Sequence, residues 1–304
     1  MNIFDFSKKT AGFLGSIRRY FQFRVNRIPP AINYDITYRC QLNCEHCYFA
    51  LSWVKDRKND ELELTDDQWI RIFKKHYALG ITNASITGGE PTLRMPVLEA
   101  AYDTFNTIQV ATNGIKKIPE RMKCVVWVSI DGGEETHNRI RGAKCYQKIM
   151  QNIQDDKRIA ISMSLTTSNY KEIFSTVEAC MKANVKGIFF LLYTGQLSDS
   201  LYLDGKKLDY TIKSLYHAID EYRDFILISR RMVDLYKTKK HVAHCVFREG
   251  LIQSFYPDMS RKLPCVMGPV DCRTCGCIVP VFMYWVKRLD IETLLKGGKM
   301  LEVI

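Results

Sequence analysis

The chain has no apolar run near the roughly 20 residues a membrane-spanning helix requires. Its first 30 residues lack the uninterrupted apolar stretch and small-residue cleavage site of a secretory signal. No internal repeat or low-complexity tract interrupts it. Acids are in the minority, with 33 Asp and Glu against 44 Lys and Arg, a formal charge of +11. That excess permits nucleic acid, anionic lipid or acidic substrate and selects none of them. No recognised RNA-binding module accompanies it, so nucleic acid is not an expected partner. A disulfide framework is missing too. The 11 cysteines are odd in number and unevenly spread, whereas secreted disulfide scaffolds are short and Cys-dense throughout. These absences place the chain in the cytoplasm.

The cysteines that are present fall in clusters. Cys40, Cys44 and Cys47 lie within eight residues, and Cys245, Cys265, Cys272, Cys275 and Cys277 form a second group. In a long chain such clusters read as metal or cluster ligands. Cys124, Cys145 and Cys180 stand alone and read as small buried apolar residues.

The 304 residues, 46% hydrophobic and 25% charged, suit one large α/β domain or a core with a small accessory part. Residues 1–30 stand apart, with six basic residues against one acid, interleaved with aromatics. Phe13, Ile17, Tyr20 and Phe21 share helical spacing. This reads either as an amphipathic helix on an anionic membrane surface or as a helix docked on its own core. Pro29 and Pro30 end the segment. Residues 31–240 repeat strand and helix. The strands are "AINYDIT", "NASIT", "IQVAT", "CVVWVSI", "RIAISMSLTT" and "GIFFLLY". Thr65 with Gln68 is a capping box opening the first helix. Six such units predict a parallel sheet covered by helices, a partial (β/α)6 TIM-like barrel. Residues 241–304 are a small Cys-rich extension, with a hairpin expected between Cys245 and Cys265. In such folds chemistry gathers at the C-terminal ends of strands. Cys40 to Cys47 directly follow the first strand.

Zinc in a structural site takes four protein ligands. Three thiolates with no fixed fourth suit a metal centre with an open position, such as a 4Fe–4S cube with one iron free. Cys-x3-Cys-x2-Cys, with His46 before the last Cys, resembles the signature of radical S-adenosylmethionine (radical SAM) enzymes. The likeness continues in "TGGEPTL" (87–93), "ATNG" (111–114) and "VSIDGGEETHNRIRG" (128–142). It implies that Cys40, Cys44 and Cys47 hold a 4Fe–4S cluster whose free iron binds the methionine part of SAM. One electron then cleaves SAM to a 5′-deoxyadenosyl radical, which abstracts hydrogen from a substrate C–H. It further implies that His46 lies near the adenine, and that Gly88 and Gly89 leave room for backbone contact with the methionine. Glu90 matches the acid of that stretch. Ser129 and Asp131 would face the ribose, and Arg141 the methionine carboxylate. An external one-electron donor of flavodoxin or ferredoxin type is implied as partner.

The second cysteine group, with Gly250, resembles the auxiliary-cluster region of SPASM or twitch radical SAM enzymes. It implies one further 4Fe–4S cluster, five thiols being one too many. The residues alone also admit a structural zinc. The expected substrate is a membrane-associated isoprenoid or other lipid, read from the basic N-terminus, the +11 charge and "CIVPVFMYWVKRL" (277–289), with peripheral binding at the inner membrane face; both apolar stretches read equally as segments packed on the core. A peptide-modifying enzyme is the alternative, and an RNA-modifying one a more distant third.

Overall fold

The computed structural model describes Val25, residues 28–47, Phe49 and residues 62–302. The expected N-terminal amphipathic helix lies almost wholly outside these residues. Among them no helix is long and apolar enough to cross a membrane.

The first six strands fall where the sequence places them: β1 Ala31–Asp35, β2 Asn83–Thr87, β3 Thr107–Thr112, β4 Val125–Ser129, β5 Ile159–Leu165 and β6 Gly187–Leu192. All pair in parallel, each with its predecessor in sequence. This is the expected partial barrel, with one strand more. A seventh, β7 Ile252–Phe255, pairs parallel to β1 and completes the order β6-β5-β4-β3-β2-β1-β7. The expected hairpin is present only in part. Its turn closes through Tyr256 N–H to Ser260 O, but its second arm is reduced to one bridge between Phe255 and Arg261. The first arm has been recruited into the main sheet.

The strands carry two faces. One points to the helices and is apolar, with Tyr34, Ile86, Val110, Val126, Val128 and Ile161 buried there. Tyr34 meets Trp69 and Phe73 of α1 (Asp66–Ala78) edge-on, at ring distances of 5.8 and 5.2 Å. Such pairs add about 1 kcal/mol each beyond burial. The capping box is formed as read: Thr65 accepts from Gln68 N–H, and the Gln68 side chain accepts from Thr65 N–H at 2.7 Å. The other face carries Asn33, Ser85, Gln109, Ser129, Ser162 and Ser164, which line a cavity. Small polar side chains cannot fill a barrel interior, so this face leaves space where branched residues would pack.

Further helices cover the sheet: α2 Met95–Thr104, α3 Glu134–Arg141, α4 Tyr146–Ile153, α5 Ile173–Lys182, α6 Gly205–Glu221 and α7 Arg230–Thr238. Cys124, Cys145 and Cys180 are buried as expected. Two helices in the C-terminal region were not anticipated, α8 Ile278–Val286 and α9 Ile291–Leu301. The stretch read as lipid-facing is α8, and it is largely internal. Ile278, Pro280, Val281 and Tyr284 are buried, while Phe282 and Met283 border the cavity.

The C-terminal region touches both edges of the sheet. At one edge β7 extends β1. At the other, Leu192 N–H donates to Gly276 O at 3.1 Å, and Gly276 N–H to Thr194 Oγ1 at 2.9 Å. It therefore spans the side that six strands leave open.

Candidate active site

Cys40, Cys44 and Cys47 occupy the loop after β1, and all three border a cavity of about 1030 Å³. Gly88 and Gly89 hold this loop. Gly89 N–H donates to Thr37 O and Glu90 N–H to Arg39 O, both at 2.8 Å. A Cβ on Gly89 would lie 2.3 Å from Arg39 O, and one on Gly88, whose φ is +134°, 2.7 Å from Thr37 O. Glycine is thus required by the approach of the cysteine loop itself, a reason the motif alone does not reveal. Glu90 is buried and fully engaged. It accepts from Thr92 N–H (3.0 Å), Thr92 Oγ1 (2.7 Å), Thr112 Oγ1 (2.7 Å) and Asn113 N–H (2.8 Å). Burial still pushes its carboxyl above the usual range. Its evident work is to tie the loops after β2 and β3 together.

The residues expected around SAM converge. Arg141 Nη2 lies 2.5 Å from Asp131 Oδ2, and His46 Nε2 3.4 Å from the same oxygen. Arg141 Nη1 also donates to Cys44 Sγ at 3.7 Å. Burial alone would raise the Asp131 carboxyl, but Arg141, then His46 and His137, hold it below its ordinary value. Burial lowers His46, against the pull of Asp131. Among the described residues, the buried His46 Nδ1 and Arg141 Nε have no protein partner. Such orphaned atoms beside a cavity call for a ligand. Ser129 borders the same cavity at the end of β4.

The three loop thiols act on one another electrostatically. Burial pushes Cys44 up to about 11 and raises Cys40, whose sulfur accepts from Leu42 N–H at 3.4 Å. No three His, Cys, Asp or Glu side chains among the described residues converge closely enough for a single metal ion. Thiols arranged around a volume, with N–H donors aimed at sulfur, suit an iron–sulfur cluster better than one zinc. The second group behaves alike. Burial lifts Cys265 to about 11 and Cys275 to about 12, and Cys245 raises both through its charge. Cys272 also feels Cys245, and Cys277 feels Cys275, Cys265 and Cys245. Cys277 alone of these five borders the main cavity.

Sequence reasoning passed over several residues here. Arg94 donates to Ile36 O at 2.8 Å and pairs with Glu63 and Asp66, bracing the end of β1. Trp127, Phe282 and Met283 shape the cavity. Lys262 makes a buried ion pair with Asp35. Arg94 directly follows the "TGGEPTL" stretch, which ends at Leu93. The others depend on tertiary neighbours far away in sequence.

Comparison with known proteins accords with this geometry. The Radical SAM superfamily model matches residues 34–200, more than half of the chain, and the chain belongs to that superfamily. Its members are enzymes that use SAM and an iron–sulfur cluster. The chain is 28% identical over 171 residues to the sporulation killing factor maturation protein SkfB of Bacillus subtilis, covering 51% of this chain and 40% of SkfB. It is 30% identical over 190 residues to the AdoMet-dependent heme synthase of Methanosarcina barkeri, covering 57% and 53%. It thus spans about half the length of these curated relatives. Streptococcus suis SuiB, solved bound to its precursor peptide SuiA, shares the fold at a TM-score of 0.59 and 14% identity, over 84% of this chain and 64% of SuiB.

Proposed function

We propose that the chain is a peptide-modifying radical SAM enzyme with two 4Fe–4S clusters. The observation that carries this reading is the similarity to SkfB, a maturation protein. The fold of SuiB, which is known with a precursor peptide bound, supports it. So does the cavity, which runs from the cysteine loop past Ser85 and Gln109 to Pro30, Asn83 and Thr107 at the strand starts. It leaves room below a cofactor for a second group. The lipid reading loses one of its supports, because 277–289 is mostly internal.

In this assignment Cys40, Cys44 and Cys47 hold the first cluster. Cys245, Cys265, Cys272 and Cys275 hold the second, leaving Cys277 as a thiol at the cavity wall. When bound, the first cluster and SAM supply reductive formation of a radical able to take hydrogen from an unactivated C–H. The chain's own residues position and shield. Arg141, fixed by Asp131, meets the methionine carboxylate. His46 faces the adenine, Ser129 and Asp131 the ribose. The Gly88–Glu90 edge fixes the floor, and α8 with α9 keeps water from the lower cavity. A flavodoxin- or ferredoxin-type donor supplies the electron.

The test is 5′-deoxyadenosine formation by the anaerobically reconstituted chain, given peptide fractions, lipid extract or iron porphyrin in separate reactions. The expected result is stimulation by a peptide fraction, together with a peptide changed in mass. Stimulation by lipid or porphyrin alone would replace the peptide reading.

A further inference from the structure

Lys262 and Asp35 form a fully buried ion pair, Nζ to Oδ2 at 2.5 Å, with both side chains 0% exposed. Asp35 is the last residue of β1, five before Cys40, and Lys262 stands three before Cys265. One interaction therefore joins the lead-in of the first cysteine loop to the lead-in of a thiol in the second group. Asp35 is held by its neighbours, accepting from Thr87 Oγ1, next to Gly88, and from Asn33 Nδ2 at 3.4 Å. Lys262 is held too. Its N–H donates to Ser254 O of β7 at 2.8 Å, and its ammonium lies 5.1 Å from the Tyr256 ring and 5.8 Å from that of Phe49, two residues after Cys47.

Burying two charges is costly, and an apolar pair of similar size would serve stability as well or better. What an ion pair adds is a single register.

We propose that Lys262 is a positioning residue for the auxiliary cluster, holding the Cys265 end of the C-terminal region in register with the first cysteine loop and keeping a fixed positive charge beside that cluster. This rests on the two-cluster reading above. A positive charge favours the reduced, more negative state of a cluster.

The test is a potentiometric titration of the full, reconstituted chain, followed by electron paramagnetic resonance, with iron counting and thermal melts. The variants are Lys262→Met and the double Asp35→Asn/Lys262→Met. In Lys262→Met the reduced-to-oxidised ratio of the auxiliary cluster at fixed potential is expected to fall about tenfold, about 59 mV for one electron. In the double variant, which leaves no lone carboxylate beside the first loop, the first cluster should change less than about twofold by the same measure. The double variant recovers melting temperature, because no lone charge stays buried, yet keeps the shifted potential. A brace without an electrostatic role would recover both. Both variants titrating as wild type, or the double recovering the wild-type potential, overturns the inference. About four irons in the wild type, in place of about eight for two clusters, overturns the two-cluster reading and the inference with it.

Discussion

The two cysteine regions solve one problem by different means. Cys40, Cys44 and Cys47 sit on one short loop, fixed by the strand before it and the glycines beside it. The five C-terminal thiols are spread over residues 245–277, and their last stretch is placed by distant contacts: Lys239 Nζ donates to Cys275 O at 2.9 Å, and Gly276 bonds to Leu192 and Thr194. The regions do share one device, a glycine pressed against backbone. A Cβ on Gly89 would fall 2.3 Å from Arg39 O, and a Cβ on Gly276, between Cys275 and Cys277, 2.3 Å from Leu192 O. The first contact docks a loop onto its neighbour, and the second docks the C-terminal region onto the far edge of the sheet. A site built from one loop gains its geometry from local chain; a site built from many turns needs the fold finished first.

The largest effect expected from this contrast follows removal of thiols. Cys44→Ala should abolish reductive SAM cleavage, measured as 5′-deoxyadenosine under dithionite, while about four irons remain at the second site. Cys272→Ala should do the reverse, losing about four irons but retaining cleavage of SAM. If Cys272→Ala leaves the iron content at wild type, the second group is not a cluster site built on that thiol.

The paired glycines sharpen the comparison at the next level. Gly89→Ala and Gly276→Ala each force a backbone to move, at a cost of about 3 kcal/mol. Urea titration should show similar losses of stability. Iron counts should separate them, Gly89→Ala failing to load the first cluster and Gly276→Ala the second. Equal loading of both clusters in both variants would mean that the glycines serve packing alone.

The same contrast explains what was legible in the sequence. Six strands could be read because their apolar faces lie in short runs bounded by turn residues, and Cys40 to Cys47 because local spacing holds the whole pattern. The cluster around Asp131 was legible through one contiguous motif, Val128 to Gly142. β7 escaped because "IQSF" is short and becomes a strand only by pairing with β1. The stretch of helix α8 could be read as lipid-facing or as core, because a helix buried on several sides has no polar face to mark its period. Lys262 and Asp35, 227 residues apart, leave no local trace. Gly88 and Gly89 were read as leaving room for backbone contact with a ligand; both border the cavity, and the sequence does not show that the backbone of Thr37 and Arg39 presses on them as well.

The smallest effect expected is in pH. Each region rests on a buried neutral imidazole. Near the first, His137 Nδ1 accepts from Asp131 N–H at 3.2 Å, and burial, then Arg141, hold this residue at about 4. Near the second, burial and Lys239 hold His241 at about 4. An unfolded histidine titrates near 6.5, so between these values the unfolded chain binds more protons than the folded one. Stability is therefore present in full above about pH 6.5, falls as pH drops toward about 4, and is flat below that. Each imidazole should cost about 2 kcal/mol at pH 5 relative to pH 7. Urea titrations of the cluster-free chain at the two pH values measure the sum. His137→Gln and His241→Gln should each remove about half of the difference. A loss carried by one of them alone would show that only one cysteine region depends on a neutral histidine beneath it.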